Sequence, residues 1–186
     1  MVKCFHAQSC EWNFPHVLSD EEYEALDVEA GEEPPPMPKP IPLELIPENT
    51  ASDIYYRYLD DQMRPSMIIH RRNHPDGSKA IFPMYFSGER LEYGMPVGLY
   101  LYGRQLLDKH PDGPVLVVEG EKATHKAYTA LVRAGRSMPV VTWPLGSSNV
   151  LKGDWRALKG RPVILWPDND EAGIKAMKVI EEILKS

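Results

Sequence analysis

A chain of 186 residues, 42% of them hydrophobic, has room for one domain, or one small domain with an appendage, and enough apolar content for a core. Its formal net charge of −6 excludes bulk attraction to nucleic acid, so any such binding must come from a local basic surface or through a metal ion. Two cysteines, Cys4 and Cys10, exclude a disulfide framework and suit a reducing cytoplasm, and neither a signal-peptide pattern nor a membrane-length apolar run is present.

Residues 1–33 read as a leader with a short acidic helix. Cys4, His6, Cys10 and His16 are zinc-ligand types, but their spacing matches no common zinc module, so zinc is not expected. Ser19 with Glu22 three positions later is a capping-box pattern that starts a helix over 19–30, with Tyr23 and Leu26 on one side. The run from Glu33 through Pro42 holds many of the 18 prolines, and it makes 34–51 an extended linker of polyproline character.

Residues 52–112 form a small β-rich subdomain. Ile54–Leu59, Ser66–Arg71 and Ala80–Phe86 are rich in β-branched and aromatic residues, and Asp60-Asp61 and Pro75-Asp76-Gly77-Ser78 separate them as turns. The tyrosines Tyr55, Tyr56 and Tyr58 read as a strand with a mixed face, not a stacking platform. Residues 103–110 carry a short helical pattern.

From 113 to 186 the pattern becomes strand, helix, strand, loop, strand, helix, which predicts a parallel α/β unit. The strands are 115–119, 140–142 and 162–166. A helix over 121–134 buries Ala123, Ala127, Ala130 and Leu131 and ends at Gly135. A short helix is expected within 150–158, and the last helix, over 171–184, turns Ile174, Met177, Ile180, Ile183 and Leu184 inward. His125 and Lys126 fall on the exposed side of the first helix, and Trp155 and Trp166 are expected in the core.

Two of these strands end in carboxylates. Glu119-Gly120-Glu121-Lys122 follows the first, and Asp168-Asn169-Asp170-Glu171 follows the third. Adjacent parallel strands bring such ends to one edge of a sheet, where open α/β folds bind ligands. Residues i and i+2 of an extended chain point the same way, so Asp168 and Asp170 can reach one hard divalent cation and, through it, phosphate. Glu119 is a candidate ligand or proton carrier, Glu121 a further ligand, and Lys122 a contact to developing negative charge. The plain alternative is that the aspartates cap the last helix. Gly146 and Ser147 could offer backbone N–H groups to phosphate, or form an ordinary loop.

As a set, these residues resemble a Toprim domain, the metal-binding module of bacterial and phage primases, topoisomerases and some nucleases. Glu119 matches the glutamate of its first motif, Asp168-Asn169-Asp170 the Asp-x-Asp motif, and Glu171-Ala172-Gly173 the tail common in primases. The stretch from Val141 to Val163 and the upstream Arg71, Arg72 and Asp76–Pro83 resemble phage- and plasmid-type primases, so the likeness covers about 52–186. Leu145 stands where a second glycine is common, and a full Toprim continues with another strand and helix, so a shortened form or a fragment is expected.

The resemblance implies an α/β fold with a Toprim-like parallel sheet flanked by helices, and magnesium, or manganese, held by Asp168 and Asp170. It also implies Glu119 as the general acid/base of nucleotidyl transfer, and Arg71, Arg72 and Lys79 as phosphate contacts. The implied activity is RNA primer synthesis on a single-stranded DNA template from nucleoside triphosphates, alongside a replicative helicase or another replication protein. The implied place is the cytoplasm of a bacterial host or phage-infected cell, with no membrane partner. A Toprim nuclease and a non-catalytic nucleic-acid- or partner-binding module are the alternatives.

Overall fold

The computed structural model describes residues 37–96 and 98–185. The candidate ligands Cys4, His6, Cys10 and His16 and the helix expected over 19–30 lie outside the described residues.

The chain folds as a mixed α/β protein with two sheets. Strands β1 (Asp53–Leu59), β2 (Pro65–Asn73), β3 (Lys79–Phe86) and β4 (Leu91–Tyr93) form an antiparallel meander in that order. Its turns follow local chemistry. Asp60 Oδ1 accepts from the backbone N–H groups of Gln62 and Arg64 at 2.9 and 2.8 Å, closing the first hairpin. In the second, Gly77 N–H donates to the His74 carbonyl while Asp76 Oδ1 accepts from Ser78 N–H. The short β4 has no distinct signal in the sequence.

The second sheet is parallel, in the order β6 (Val140–Val141), β5 (Val115–Val118), β7 (Val163–Trp166). Helix α1 (Glu121–Arg133) covers one face and α2 (Glu171–Lys185) the other. Period-two alternation sorts β5 between them. Leu116 and Val118 join Ala123, Ala127 and Leu131 of α1, whereas Val115 and Val117 join Ala176, Met177 and Ile180 of α2. Trp143, Trp155 and Leu158 complete the core on the α2 side, near two 3-10 segments over Ser147–Lys152 and Trp155–Leu158.

The elements expected in this half are present, but three burial expectations are corrected, the first at Ala130 of α1, which is exposed. Trp166 is 54% and Ile164 46% exposed. Among the described residues the strand is at the sheet edge and pairs only with β5, and α1 packs over β5 and β6, leaving the same face of β7 uncovered. Ile174, at the first turn of α2, is also 46% exposed, so the buried stripe of that helix runs through Ala176, Met177 and Ile180.

Residues 99–102 join the two sheets. Tyr102 and Thr142 exchange backbone hydrogen bonds of 2.8 and 3.1 Å, and Leu99 packs with Tyr56, Tyr58, Met67 and Ile69 of the antiparallel sheet. No helix among the described residues is long and apolar enough to cross a membrane. Ile180→Ala, which opens a cavity at a fully buried position, is expected to cost about 2–5 kcal/mol in denaturant unfolding. Ile164→Ala on the uncovered face should stay within about 0.5–1 kcal/mol of the parent.

Candidate functional site

The carboxyl ends of β5 and β7 are adjacent, with Val118 opposite Trp166 in parallel register. On the two sides of β5 lie strands reached by opposite crossovers, the place where a parallel sheet opens a crevice. Glu119 leaves β5 there, and Asp168 and Asp170 follow β7. The three carboxylates converge electrostatically. Burial, then the charges of Asp168 and Asp170, push the Glu119 carboxyl up to about 7, and the backbone of Asp168 offsets part of this.

Local backbone makes the convergence possible. Gly120 sits at φ 78°, a conformation costly for any residue with a Cβ, and its N–H donates to Thr142 Oγ1 at 2.9 Å. Asp170 Oδ1 accepts from the Gly173 N–H at 2.7 Å, so it caps α2, as the plain reading of the aspartates holds. That bond occupies one oxygen. Gly173 permits the close approach, because a Cβ there would lie 2.5 Å from Glu119 Oε1 and 3.0 Å from the Asp168 carbonyl oxygen, and the Glu119 carboxylate would have to move.

Among the described residues, no three His, Cys, Asp or Glu side chains stand close enough to enclose an ion in this arrangement. The donor chemistry nevertheless fits a hard dication. Glu119 Oε1 is buried without a hydrogen-bond partner, two aspartates raise the cost of its charge, and magnesium needs only one or two protein carboxylates beside waters and phosphate oxygens.

A basic group stands near the start of α1. Arg71 of β2, Lys79 of β3 and Lys126 of α1 lie close enough to Lys122 that Arg71 above all, with burial and the two other lysines, lowers the Lys122 pKa. Arg71 also acts on Glu121 and Tyr56. Arg71 and Lys79, two of the expected cations, are thus within electrostatic reach of a third, Lys122, as is Lys126.

Two other expected site residues, Arg72 and Glu121, are engaged elsewhere. Arg72 follows Arg71 in an extended strand and so faces the opposite side of the sheet, where its Nε donates to Asp53 at 2.7 Å. Glu121 turns toward the antiparallel sheet and accepts a 2.6 Å hydrogen bond from the fully buried Tyr58 hydroxyl. Burial raises its pKa, and the aspartates are not among the charges that shift it. Gly146 and Ser147 open the 3-10 turn packed on α2, where the Gly146 carbonyl accepts from Trp143 Nε1 and from the Asn149 N–H. Leu145 adopts φ 64°, a left-handed conformation that glycine takes without strain, and its side chain packs toward the Tyr56–Leu99 cluster.

His125 stands on the exposed side of α1, as its spacing predicts. There its Nε2 lies 2.5 Å from the Tyr102 hydroxyl and its ring stacks on Tyr102 with centroids 5.6 Å apart. The contacts of Tyr58 with Glu121 and of Tyr102 with His125 join residues 63 and 23 apart in sequence, so no local pattern announces them.

Comparison with family models, curated proteins and solved structures found no match to this chain.

Glu119 gives the fold a pH signature. Between about pH 4.5 and 7 the folded protein holds a proton on Glu119 that the unfolded chain has released, so folding stability falls as pH rises through this window. In metal-free buffer, Glu119→Gln should therefore stabilise the protein at pH 8 by about 1–2 kcal/mol, discounted for partial exposure, with the gain vanishing below about pH 4.5. Thermal melts at the two pH values check this. Tyr58→Phe leaves the Glu121 carboxyl without its donor and is expected to cost about 1–3 kcal/mol by urea unfolding.

Proposed function

We propose that this protein is a Toprim-type nucleotidyltransferase that synthesises RNA primers on single-stranded DNA, as phage- and plasmid-type primases do. One observation carries the reading: Glu119, from one parallel strand, sits within electrostatic reach of Asp168 and Asp170, from the neighbouring one, at the carboxyl edge of the sheet. A capping role accounts for Asp170 but not for a partly buried glutamate held against two aspartates. The group of Arg71, Lys79 and Lys126 around Lys122, which follows Glu119 by three residues in the chain, supports it further, because a triphosphate needs cations.

In this reading Asp168, Asp170 and Glu119 hold magnesium, or manganese, which would neutralise phosphate charge during transfer. The primer 3′-hydroxyl attacks the α-phosphate of the incoming nucleotide. A new P–O bond forms, the bond between α- and β-phosphates breaks, and pyrophosphate leaves. Glu119 takes the hydroxyl proton, and Lys122 with Arg71 faces the charge gathering on the departing phosphates. Template DNA and nucleoside triphosphates are the proposed partners, a replicative helicase or another replication protein the proposed neighbour, and the cytoplasm of a bacterial host or phage-infected cell the proposed setting.

The test is primer synthesis from labelled nucleotides on single-stranded DNA, with the chain alone and with its neighbouring replication proteins. Glu119→Gln and Asp168→Asn should each lower product by at least about a thousandfold while thermal melts remain cooperative. Full magnesium-dependent synthesis by Asp168→Asn would sink the proposal. Shortening of the DNA in place of incorporation would assign the same acids to a nuclease.

A further inference from the structure

The antiparallel sheet has a second face, turned away from α1 and the acids. Residues 37–50 cover part of it, with Ile41 and Ile46 packed among Ile68, Met84, Phe86 and Leu91. Beyond them an aromatic row crosses all four strands. Tyr55 of β1, His70 of β2 and Phe82 of β3 are direct cross-strand partners, and Tyr93 of β4 lies diagonal to Phe82, opposite Met84. Their ring centroids follow at 4.5, 5.7 and 5.8 Å. The inner rings are shielded, but Phe82 is 39% and Tyr93 67% exposed.

We propose that this face is a stacking platform for the bases of single-stranded nucleic acid, built on Phe82 and Tyr93 with Arg72 beside them. Arg72 is half exposed and near Tyr55 and Tyr93, and Asp53 fixes its Nε at 2.7 Å. Asp53 is in turn occupied, since it also bonds His70 Nε2 at 2.6 Å. The guanidinium is thus held at the margin of the row, where the phosphate of a nucleotide stacked on Tyr93 would lie. Arg57, exposed and two residues from Tyr55 on the same side of β1, adds a second cation.

The occupant follows from the chemistry of the open half. Its residues are Asp53, Tyr55, His70, Arg72, Ala80, Phe82 and Tyr93, which are aromatic or charged apart from one alanine. A docking helix calls for an aliphatic stripe, and none is there. Ring faces flanked by guanidinium groups are what unstacked bases and their backbone use, without sequence preference. The platform lies on the other sheet from the acids and does not depend on them. With a chain charge of −6 and two local arginines, stacking carries most of the affinity, so the salt dependence is shallow, with a logarithmic slope of roughly one to two.

The experiment is anisotropy of a labelled 20-nucleotide oligo(dT) titrated with the full chain in EDTA at several salt concentrations. Single strand should bind more tightly than duplex of the same length. Phe82→Ala with Tyr93→Ala should weaken binding at least about tenfold, Tyr93→Phe should preserve it, and Asp168→Asn should leave it unchanged. Thermal melts establish that the surface variants fold. The proposal is overturned if the double variant binds like the parent, if duplex and single strand bind alike, or if Lys79→Ala and Lys122→Ala abolish binding while the double variant does not. Binding of a proline-rich peptide through Phe82 and Tyr93, with no oligonucleotide binding, would give the face to a protein partner instead.

Discussion

Glu119, Asp168 and Asp170 stand at one end of a three-stranded sheet, and the catalytic proposal for this protein follows from their being held near one another. Water would separate them. The pairing of β5 with β7 prevents that, because Val118 opposite Trp166 leaves Glu119 and Asp168 one and two residues beyond the same rung. Gly120 turns the chain away at once, and Gly173 lets α2 approach the Glu119 oxygen. The raised Glu119 pKa is the cost of that arrangement, and a cation would remove much of it.

The antiparallel sheet is the second half of the same device. It presents Arg71 and Lys79 beside Lys122, which the parallel sheet could not do from its own strands. Tyr58 and Glu121 join the halves through a shielded hydrogen bond, and Tyr102 with His125 does so nearer the surface. In the proposed chemistry the cations and the acids would act on one triphosphate, which must be gripped at both ends of the bond that breaks.

Most of the fold was legible in the sequence, because period-two and helical patterns are local. The three strands and two helices of the parallel half, and three of the four antiparallel strands, appear where apolar spacing put them. The acids were legible for the same reason, as residues that end strands. What escaped was decided by neighbours in space. Trp166 and Ile164 have the look of a core strand, and only the strand order shows that α1 stops short of them. Arg71 and Arg72 read as a pair, yet an extended backbone sends them to opposite faces. Glu121 reads as a metal ligand until Tyr58, 63 residues away, is seen to hold it. The row from Tyr55 to Tyr93 draws one ring from each strand, so the run of tyrosines in β1 could not reveal it.

The most direct measurement of the central claim is manganese binding to the full chain without nucleotide or DNA, followed by the electron paramagnetic resonance of the free ion. One site is expected, with binding weakened at least about tenfold both in Glu119→Gln and in Asp168→Asn, and no further weakening of comparable size when the two are combined. If the ion binds equally well to all of these proteins, the acids of the two strands do not form a common centre.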